Sequence, residues 1–410
     1  MNILLLHQYF LEEDDPGGSR WNEMTKTWIE EGHSITVIAG MMHYNGNSKR
    51  DEYKKKYFVK KQQGNVTVYR THVSEVYNSG FLGRLWGYFS FMFSSMWAGF
   101  FKVSGKFDVV VVTSPPLFVG LSGYLISRIK RIPMVFEIRD LWPESAIDTG
   151  VLTNKWIIKG AYWFEKFIYK KAKLINVLTP AFYNTLRDFK NVPESKLIMI
   201  PNAADFSLSE ELQEIFDRDS FRKKHNLENH FVITYVGAHG VANHLEQLLE
   251  TGKVLEDTNV LFLLIGQGME KERLMKLASE QNVINVRFID PVPKKEVFKY
   301  ILASEMGASV LKKVDTFKTV YSNKTFDYFS CKKPIIMAID GVSRELVEQA
   351  SAGTYVEPEN IIEYERVIRH YLSNPSQLIK EGNSGFQYAK LNFDRKVLAT
   401  RYVKLIEEII

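Results

Sequence analysis

Residues 2 to 31 read NILLLHQYFLEEDDPGGSRWNEMTKTWIEE, which sets out a strand, a loop with two adjacent glycines, and a helix. The apolar run at 3–6 predicts a buried strand, and the periodic apolar residues at 19–31 predict an amphipathic helix. A second stretch of the same kind, FVITYVGAHGVANHLEQLLETGKVL, occupies 231–255. The chain therefore starts an α/β domain twice.

Short apolar runs alternate with helical patterns after each start, which is typical of parallel sheets. The predicted strands lie at 2–7, 34–40, 66–71, 108–114, 134–140, 173–179 and 197–202, and then at 231–237, 260–266, 286–290, 307–311 and 334–340. A charged stretch at 203–230 separates the two series and predicts the domain connection. A length of 410 residues suits two domains of ordinary size.

Composition narrows the class of protein. Hydrophobic residues make up 45% of the chain and charged residues 25%, as in soluble globular proteins. The single cysteine, Cys331, excludes an intramolecular disulfide and suits a reducing cytoplasm. The nine histidines show no metal-ligand spacing, so we expect no metal site. The first ten residues lack a basic n-region and predict a strand rather than a signal peptide.

Charge and aromatic residues are concentrated between residues 49 and 101. Residues 49–61, KRDEYKKKYFVKK, hold seven basic residues against two acidic ones, and 81–101 is an aromatic stretch whose only charge is Arg84. Glycines and serines dilute that stretch, which disfavours a membrane span. It predicts one or two helices packed in the N-terminal half, or a peripheral contact of 49–101 with anionic lipid. The basic run alone is equally typical of a solvated loop, and no motif indicates nucleic-acid binding.

Three glycine-containing stretches follow predicted strands, where backbone can approach a ligand closely because glycine lacks a Cβ atom. They are PGGSR at 16–20, YVGAHG at 235–240 and GQG at 266–268. A helix opening at Gly240 would turn its positive end toward the strand edge, which suits a diphosphate. The first and third alone are typical of turns, and the second lacks the dinucleotide fingerprint.

Charged residues in two other stretches are candidates for a site. The predicted helix 324–331 carries Lys324 and Asp327 on one side, where they could meet a phosphate and a ribose diol, or form a simple ion pair. The stretch FEIRDLWPES at 136–145 ends a buried strand with dense charge. Because buried charges need partners, it predicts either an internal ion network or a site. The strand-end position favours the site.

Together and in order, these stretches resemble the family 4 glycosyltransferases with the GT-B fold. The branch they resemble most builds bacterial O-antigen and capsule units and includes the N-acetyl-L-fucosamine transferases. The resemblance runs along nearly the whole chain, and EIRDLWPE is its most distinctive piece. The stretches that carry it are HQYF, PGGSR, EGHSITVIAG, TSPPLFVGL, EIRDLWPES, IPNAAD, YVGAHG, LIGQGMEKERL and SNKTFDYFSCKKPI.

The resemblance implies an α/β architecture of two Rossmann-like domains facing across a cleft. Residues 1–203 would bind the acceptor, residues 204–393 the nucleotide-sugar, and the last helix, 394–410, would pack back on the first domain. It implies a retaining, metal-independent transfer without a cofactor. The sugar, an N-acetylated or deoxy hexose, would pass from a UDP-sugar to a polyprenyl-diphosphate-linked saccharide at the cytoplasmic face of the inner membrane.

The resemblance also implies roles for single residues. The catalytic candidates are Gly18, Arg139, Asp140 and Lys324. The substrate-binding candidates are Gly17, Gly18, Gly237, Ala238, His239, Gly240, Gly266, Lys324 and Asp327. This chain departs from the family pattern at Thr319 and Asp327, where glutamates are usual, and at 242–244, where an arginine and a lysine are common.

Two other functions stay open at this point. The first is a nucleotide-sugar epimerase on the same scaffold, which would use Asp140, Glu144 and His7 around the sugar. The second is a non-catalytic subunit that binds a membrane or a partner transferase through 49–101. Thr319 and the missing basic pair give that alternative some weight.

Overall fold

The computed structural model describes residues 1–13, 15, 19–42, 49–78, 81–148 and 152–410. The chain divides into two compact units, Met1–Pro201 with Lys396–Ile410, and Asn202–Arg395. Each unit is a mostly parallel sheet covered by helices, which confirms the predicted pair of Rossmann-like domains. The roles predicted for the two domains, and the cleft between them, stay predictions.

The first unit is built on an eight-stranded sheet in the order β3-β4-β2-β1-β5-β6-β7-β8, in which only the β3–β4 pair is antiparallel. Its strands are β1 (Asn2–Leu6), β2 (Ser34–Gly40), β3 (Phe58–Gln63), β4 (Val66–Thr71), β5 (Val109–Ser114), β6 (Met134–Ile138), β7 (Leu174–Val177) and β8 (Leu197–Met199). The central strands β1 and β5 are almost wholly buried, as expected for parallel strands covered on both faces.

Helices cover both faces of this sheet. They are α1 (Arg20–Glu30), α2 (Phe81–Phe101), α3 (Val119–Lys130), α4 (Glu144–Asp148), α5 (Lys155–Lys171) and α6 (Pro180–Asn184). The connection from β1 to β2 runs toward the β3 edge of the sheet. The connections from β4 to β5, from β5 to β6 and from β6 to β7 run toward the β8 edge. Because such crossovers are right-handed, α1 lies on one face and α2, α3 and α5 on the other.

The second unit is built on a six-stranded parallel sheet in the order β11-β10-β9-β12-β13-β14. Its strands are β9 (Phe231–Val236), β10 (Val260–Ile265), β11 (Val286–Ile289), β12 (Met306–Val310), β13 (Ile335–Ala338) and β14 (Gly353–Tyr355). Its helices are α7 (Phe206–Ile215), α8 (Arg218–Lys224), α9 (Glu246–Val254), α10 (Lys271–Glu280), α11 (Lys294–Ala303), α12 (Asn323–Ser330), α13 (Val342–Gln349), α14 (Ile361–Ser373) and α15 (Pro375–Asn392).

The last helix, α16 (Arg395–Glu407), begins at the unit boundary and packs on α1 within the first unit. Trp28 donates a hydrogen bond from Nε1 to the carbonyl of Ala399 at 2.8 Å. The Trp21, Trp28 and Tyr402 rings pack together, with centroids 5.6 to 6.1 Å apart. The helix thereby covers the apolar side of α1 with buried aromatic surface.

The aromatic stretch at 81–101 forms a single helix, α2, which agrees with the predicted one or two helices. Other elements differ from the sequence prediction. The basic run at 49–61 contains a 3₁₀ turn and strand β3, and β14 was not predicted at all. The helix after Gly240 begins only at Glu246, because a 3₁₀ turn over Val241–Asn243 intervenes.

Candidate functional site

The loops after β9 and β10 meet at the carboxyl edge of the second sheet, where parallel α/β sheets bind ligands. Gly237 and Gly266 follow these two strands with φ angles of 147° and 151°, values that favour glycine. A Cβ atom on Gly266 would lie 1.9 Å from the Gly237 carbonyl oxygen. The two turns therefore pack backbone against backbone, and a side chain at 266 would force them apart.

The turn at 237–240 leaves several amides available. Gly237 and His239 use theirs, donating to the carbonyls of Ile265 and Gln267 at 3.0 Å. Within the described ranges, no backbone carbonyl accepts from the amides of Ala238, Gly240 or Val241. Amides grouped in this way form an anion-binding concavity. The turn is thus equipped to donate hydrogen bonds to a phosphate.

The helix predicted to begin at Gly240 and to direct its positive end toward a diphosphate begins later in the chain. Helix α9 begins at Glu246, and His244 before it adopts a left-handed conformation with φ 45°. His244 lies 3.9 Å from the Glu359 carboxylate. Because a helix dipole acts mainly over its first turn, α9 gives Gly240 less help than a helix opening there would give.

His239 lies inside the site with no exposed surface. Neither ring nitrogen has a hydrogen-bond partner among the described residues. Burial, with a smaller contribution from Lys271, lowers the pKa of His239 to about 4. The imidazole is therefore neutral at pH 7, so His239 cannot replace the basic pair missing at 242–244.

Lys324 is the cation beside the turn. Its ammonium lies 4.8 Å from the centre of the Tyr235 ring and 3.3 Å from Ser322 Oγ. A Cβ atom on Gly237 would come within 3.3 Å of its Cε. Burial lowers the pKa of Lys324 to about 8, which leaves it charged at pH 7. The side chain can thus supply one positive charge beside the turn at 237–240.

Asp327 lies one turn further along α12. Its pKa is raised to about 6 because burial outweighs the attraction of Lys294, Arg395 and Lys324. No salt bridge within 4 Å joins Lys324 to Asp327 in the part of the chain that the structure describes, so the simple ion pair is not formed. Thr319, at the position of the usual first glutamate, donates from Oγ1 to the Thr316 carbonyl at 2.7 Å.

The charge at the end of β6 forms an internal network in the first unit. Glu137 is fully buried, 3.2 Å from the Arg20 guanidinium, and accepts a hydrogen bond from Asn176 Nδ2 at 2.8 Å. Arg20 also donates to the carbonyls of Ile200 and Pro201. Of the two predicted alternatives, Glu137 follows the structural one. The role of Arg20 was missed, although it directly follows the glycine pair.

The remaining candidates of the first unit divide between the described and undescribed residues. Asp140 has a pKa raised to about 6 by burial, partly offset by hydrogen bonds from Ser145 and the Leu141 amide. The amide of half-buried Arg139 donates to the Ser114 carbonyl at 3.0 Å. Gly17 and Gly18 lie outside the described residues, so their predicted contact with the donor stays a prediction.

The two other residues considered for an epimerase have different surroundings. His7 is buried, and burial together with Arg139 and Arg70 lowers its pKa well below the usual range. Glu144 lies 2.6 Å from the Lys190 ammonium. Glu144 is thus held in an ion pair, whereas the buried Nδ1 of His7 has no hydrogen-bond partner among the described residues.

The acidic loop after β1 is tied down by the basic run at 49–61. Glu12 is buried, accepts from the Tyr53 hydroxyl, and pairs with Arg70 at 2.9 Å and Lys61 at 3.1 Å. Arg50 pairs with Asp15. Arg50 and Lys61 of the basic run are therefore used in ion pairs with this loop, whereas Lys54, Lys55, Lys56 and Lys60 are exposed.

Among the described residues, no three histidine, cysteine or acidic side chains are grouped so that they could hold a metal ion. No helix in the described ranges has the length and apolar character needed to cross a membrane. Metal independence and peripheral membrane contact both stay predictions.

Two family models match successive parts of the chain. "Glycosyl transferase 4-like domain" matches residues 17–203, and "Glycosyl transferases group 1" matches residues 217–386. WcaI of Escherichia coli K12, provisionally named a colanic acid biosynthesis glycosyl transferase, is 22% identical over 98% of this chain and 99% of its own length.

Solved structures show the same architecture. Sucrose-phosphate synthase from Thermosynechococcus elongatus is similar over 100% of this chain and 98% of its own, with a TM-score of 0.74 and 14% identity. Anabaena HepE in complex with UDP-glucose is similar over the full length of both chains, with a TM-score of 0.71 and 14% identity. These likenesses confirm the GT-B fold.

Proposed function

From the premise that this chain belongs to the family 4 glycosyltransferases of the GT-B fold, we propose that it is a retaining enzyme of bacterial surface-polysaccharide synthesis. It transfers an N-acetylated or deoxy hexose from a UDP-sugar to a polyprenyl-diphosphate-linked saccharide, as in O-antigen or capsule assembly. The similarity to WcaI supports the polysaccharide context, and HepE, whose structure holds UDP-glucose, supports a UDP-sugar donor.

The observation that carries the donor assignment is the group of unused amides beside Lys324. The amides of Ala238 and Gly240 and the Lys324 ammonium offer N–H donors to a diphosphate at one sheet edge. In this proposal Asp327, one turn from Lys324 on α12, accepts hydrogen bonds from the ribose diol. A nucleoside diphosphate has the complementary groups, with acceptors on its phosphates and hydroxyl donors on its ribose.

The proposed mechanism needs little beyond charge stabilisation and alignment. The bond between the anomeric carbon and the diphosphate oxygen breaks while the acceptor hydroxyl attacks from the same face. A phosphate oxygen of the leaving group takes the hydroxyl proton. Lys324 and the turn amides stabilise the negative charge that develops on the diphosphate. The chain needs no dedicated base for this reaction, because the leaving group performs that task.

Calorimetric titration with UDP-, GDP- and CMP-sugars tests the donor assignment. We expect one UDP-sugar to bind, and Lys324→Ala to weaken its binding about 10- to 100-fold because a charge-assisted hydrogen bond is lost. Lys276→Ala is the matched control, since that side chain is 77% exposed on α10. Failure of every nucleotide to bind would favour the non-catalytic alternative. Turnover of the sugar without any acceptor would favour the epimerase.

A further inference from the structure

Helix α5 has apolar side chains on two opposite faces. One face is buried in the first unit and includes Ala161, Ile168 and Tyr169. On the other face, Trp156 is 80% exposed and Trp163 is 68% exposed. Two tryptophans on one helix in contact with water carry a large hydrophobic cost, so this face is expected to have an occupant.

The two exposed tryptophans and half-buried Phe167 form one line along the helix. Trp156, Gly160, Trp163 and Phe167 are spaced at i, i+4, i+7 and i+11, which places them on one side of an α-helix. The Trp163 and Phe167 rings stack with centroids 6.0 Å apart. The line is therefore continuous over three turns, with Gly160 leaving its middle flat.

Positive charge surrounds this line. Helix α5 carries five lysines against one glutamate, in a chain whose formal net charge is +5. All five lysines are exposed: Lys155, Lys159, Lys166, Lys170 and Lys171. The glutamate, Glu165, is buried and pairs with Lys190. The outer face of α5 thus presents only positive charge.

Helix α2 carries further exposed aromatic residues on the same face of the sheet. It covers the same face of the sheet as α5, with α3 between them, and Tyr124 of α3 contacts Phe167 edge-on at 5.2 Å. On α2, Trp86 is 57% exposed and Phe93, seven residues later, is 54% exposed. Trp86 and Phe93 belong to the 81–101 stretch, and the basic charge beside Trp156 and Trp163 comes from α5.

The occupant that fits this chemistry is the surface of an anionic bilayer. Tryptophan prefers the headgroup boundary, and lysines beside it are attracted to anionic lipid while their stems cover apolar surface. Helix α5 follows β6 along the chain and runs antiparallel to it, so the Trp156 end lies at the carboxyl edge of the sheet. A lipid-linked acceptor would reach that edge from a membrane in contact with α5.

We propose that the protein docks on anionic membranes through the outer face of α5, with Trp156 and Trp163 in the headgroup boundary and the lysines of α5 on the lipid phosphates. The link to the acceptor rests on the proposed function, whereas the docking itself does not. Vesicle binding can therefore be measured without donor or acceptor.

Flotation of the full chain with vesicles tests the proposal. We expect binding to phosphatidylethanolamine–phosphatidylglycerol vesicles and much weaker binding to phosphatidylcholine vesicles. Replacing Lys159, Lys166 and Lys170 with glutamine should reduce binding about 100-fold, since each lysine contributes attraction near the surface. The double variant Trp156→Ala/Trp163→Ala should reduce it at least about tenfold.

Matched controls separate this surface from general charge and hydrophobicity. Replacing the exposed Lys223, Lys224 and Lys276 with glutamine makes the same charge change away from α5, and Phe189→Ala removes an aromatic residue that is 80% exposed. Both controls should bind vesicles like the wild type. Near-ultraviolet circular dichroism and an unchanged affinity for the UDP-sugar would show that the variants are folded.

Three results would overturn the proposal. The wild type could bind neither kind of vesicle, or the α5 variants could bind vesicles as tightly as the wild type does. In the third case, the wild type is a dimer in solution and the variant Trp156→Ala/Trp163→Ala is a monomer. That result would show that a second copy of the chain, and not a membrane, covers the outer face of α5. Failure of the wild type to bind any UDP-sugar would instead refute the proposed function, and the vesicle-binding result would be unaffected.

Discussion

Replacing Glu137 with alanine tests whether the charge at the end of β6 is structural. The carboxylate is fully buried, and the Arg20 side chain that faces it is 5% exposed. The substitution leaves the guanidinium buried with only the carbonyls of Ile200 and Pro201 as partners, and it removes the acceptor for Asn176. Removing one partner of a buried pair costs about 3–5 kcal/mol, so we expect the first unit to lose that much unfolding free energy.

Tryptophan fluorescence during urea unfolding measures this loss in the right unit. All seven tryptophans lie in residues 1–201, so their emission reports on the first unit and not on the second. Glu137→Gln keeps the shape and an acceptor for Asn176, and it should cost less than alanine. Asp51→Ala is the control. It breaks an exposed pair with Lys54 in the same unit, and such exposed pairs contribute little to stability.

A structural role for Glu137 would be contradicted if Glu137→Ala unfolds at the same urea concentration as the wild type and yet abolishes sugar transfer. That result would make the carboxylate a reacting group and the Arg20 contact incidental. A loss of stability with donor binding retained is the expected outcome, because the amides that would bind the donor lie in the other unit.

Three further predictions concern the second unit. Lys324 is charged below a pKa of about 8, so the affinity for UDP should fall as the pH rises through that value. The Lys324→Arg variant should not show this fall, because arginine stays charged. Calorimetric titration with UDP at a series of pH values measures the difference. Asp327 is ionised above a pKa of about 6, so Asp327→Ala should weaken UDP-sugar binding about 10- to 100-fold at pH 7, and unchanged affinity would remove it from the ribose role. Gly266→Ala would place a Cβ atom 1.9 Å from the Gly237 carbonyl oxygen. It should abolish tight nucleotide binding without changing the unfolding of the first unit that tryptophan fluorescence detects. Gly160→Ala is its control, because a Cβ atom there would have no neighbouring atom within 4 Å. Normal binding by Gly266→Ala would contradict the close packing of the two turns.

Much of the fold could be predicted because parallel strands buried on both faces are continuous apolar runs. Strand β5 is VVVVTS and strand β10 is VLFLLI, and neither has a competing interpretation. Strand β3, FVKKQQ, was missed because it is a charged antiparallel edge strand. Three-residue β14 is too short for any periodic signal.

Less of the local structure of the candidate site could be predicted from the sequence. The glycines and Lys324 could be chosen from their positions after strands, but the start of α9 depends on the 3₁₀ turn and the left-handed His244. Arg20 and Glu137 are 117 residues apart, so no spacing rule connects them. The exposure of Trp156 likewise depends on which face of α5 packs against the sheet, and composition does not determine that.

The most direct test of the proposed function is transfer itself. The full chain is incubated with the UDP-sugar that binds it and a polyprenyl-diphosphate-linked saccharide, with and without EDTA, and the product is examined by NMR. We expect one sugar to be added, with the anomeric configuration it had in the donor, and equal rates in both samples. A product of inverted configuration, or none from a donor that binds tightly, would contradict the proposed function.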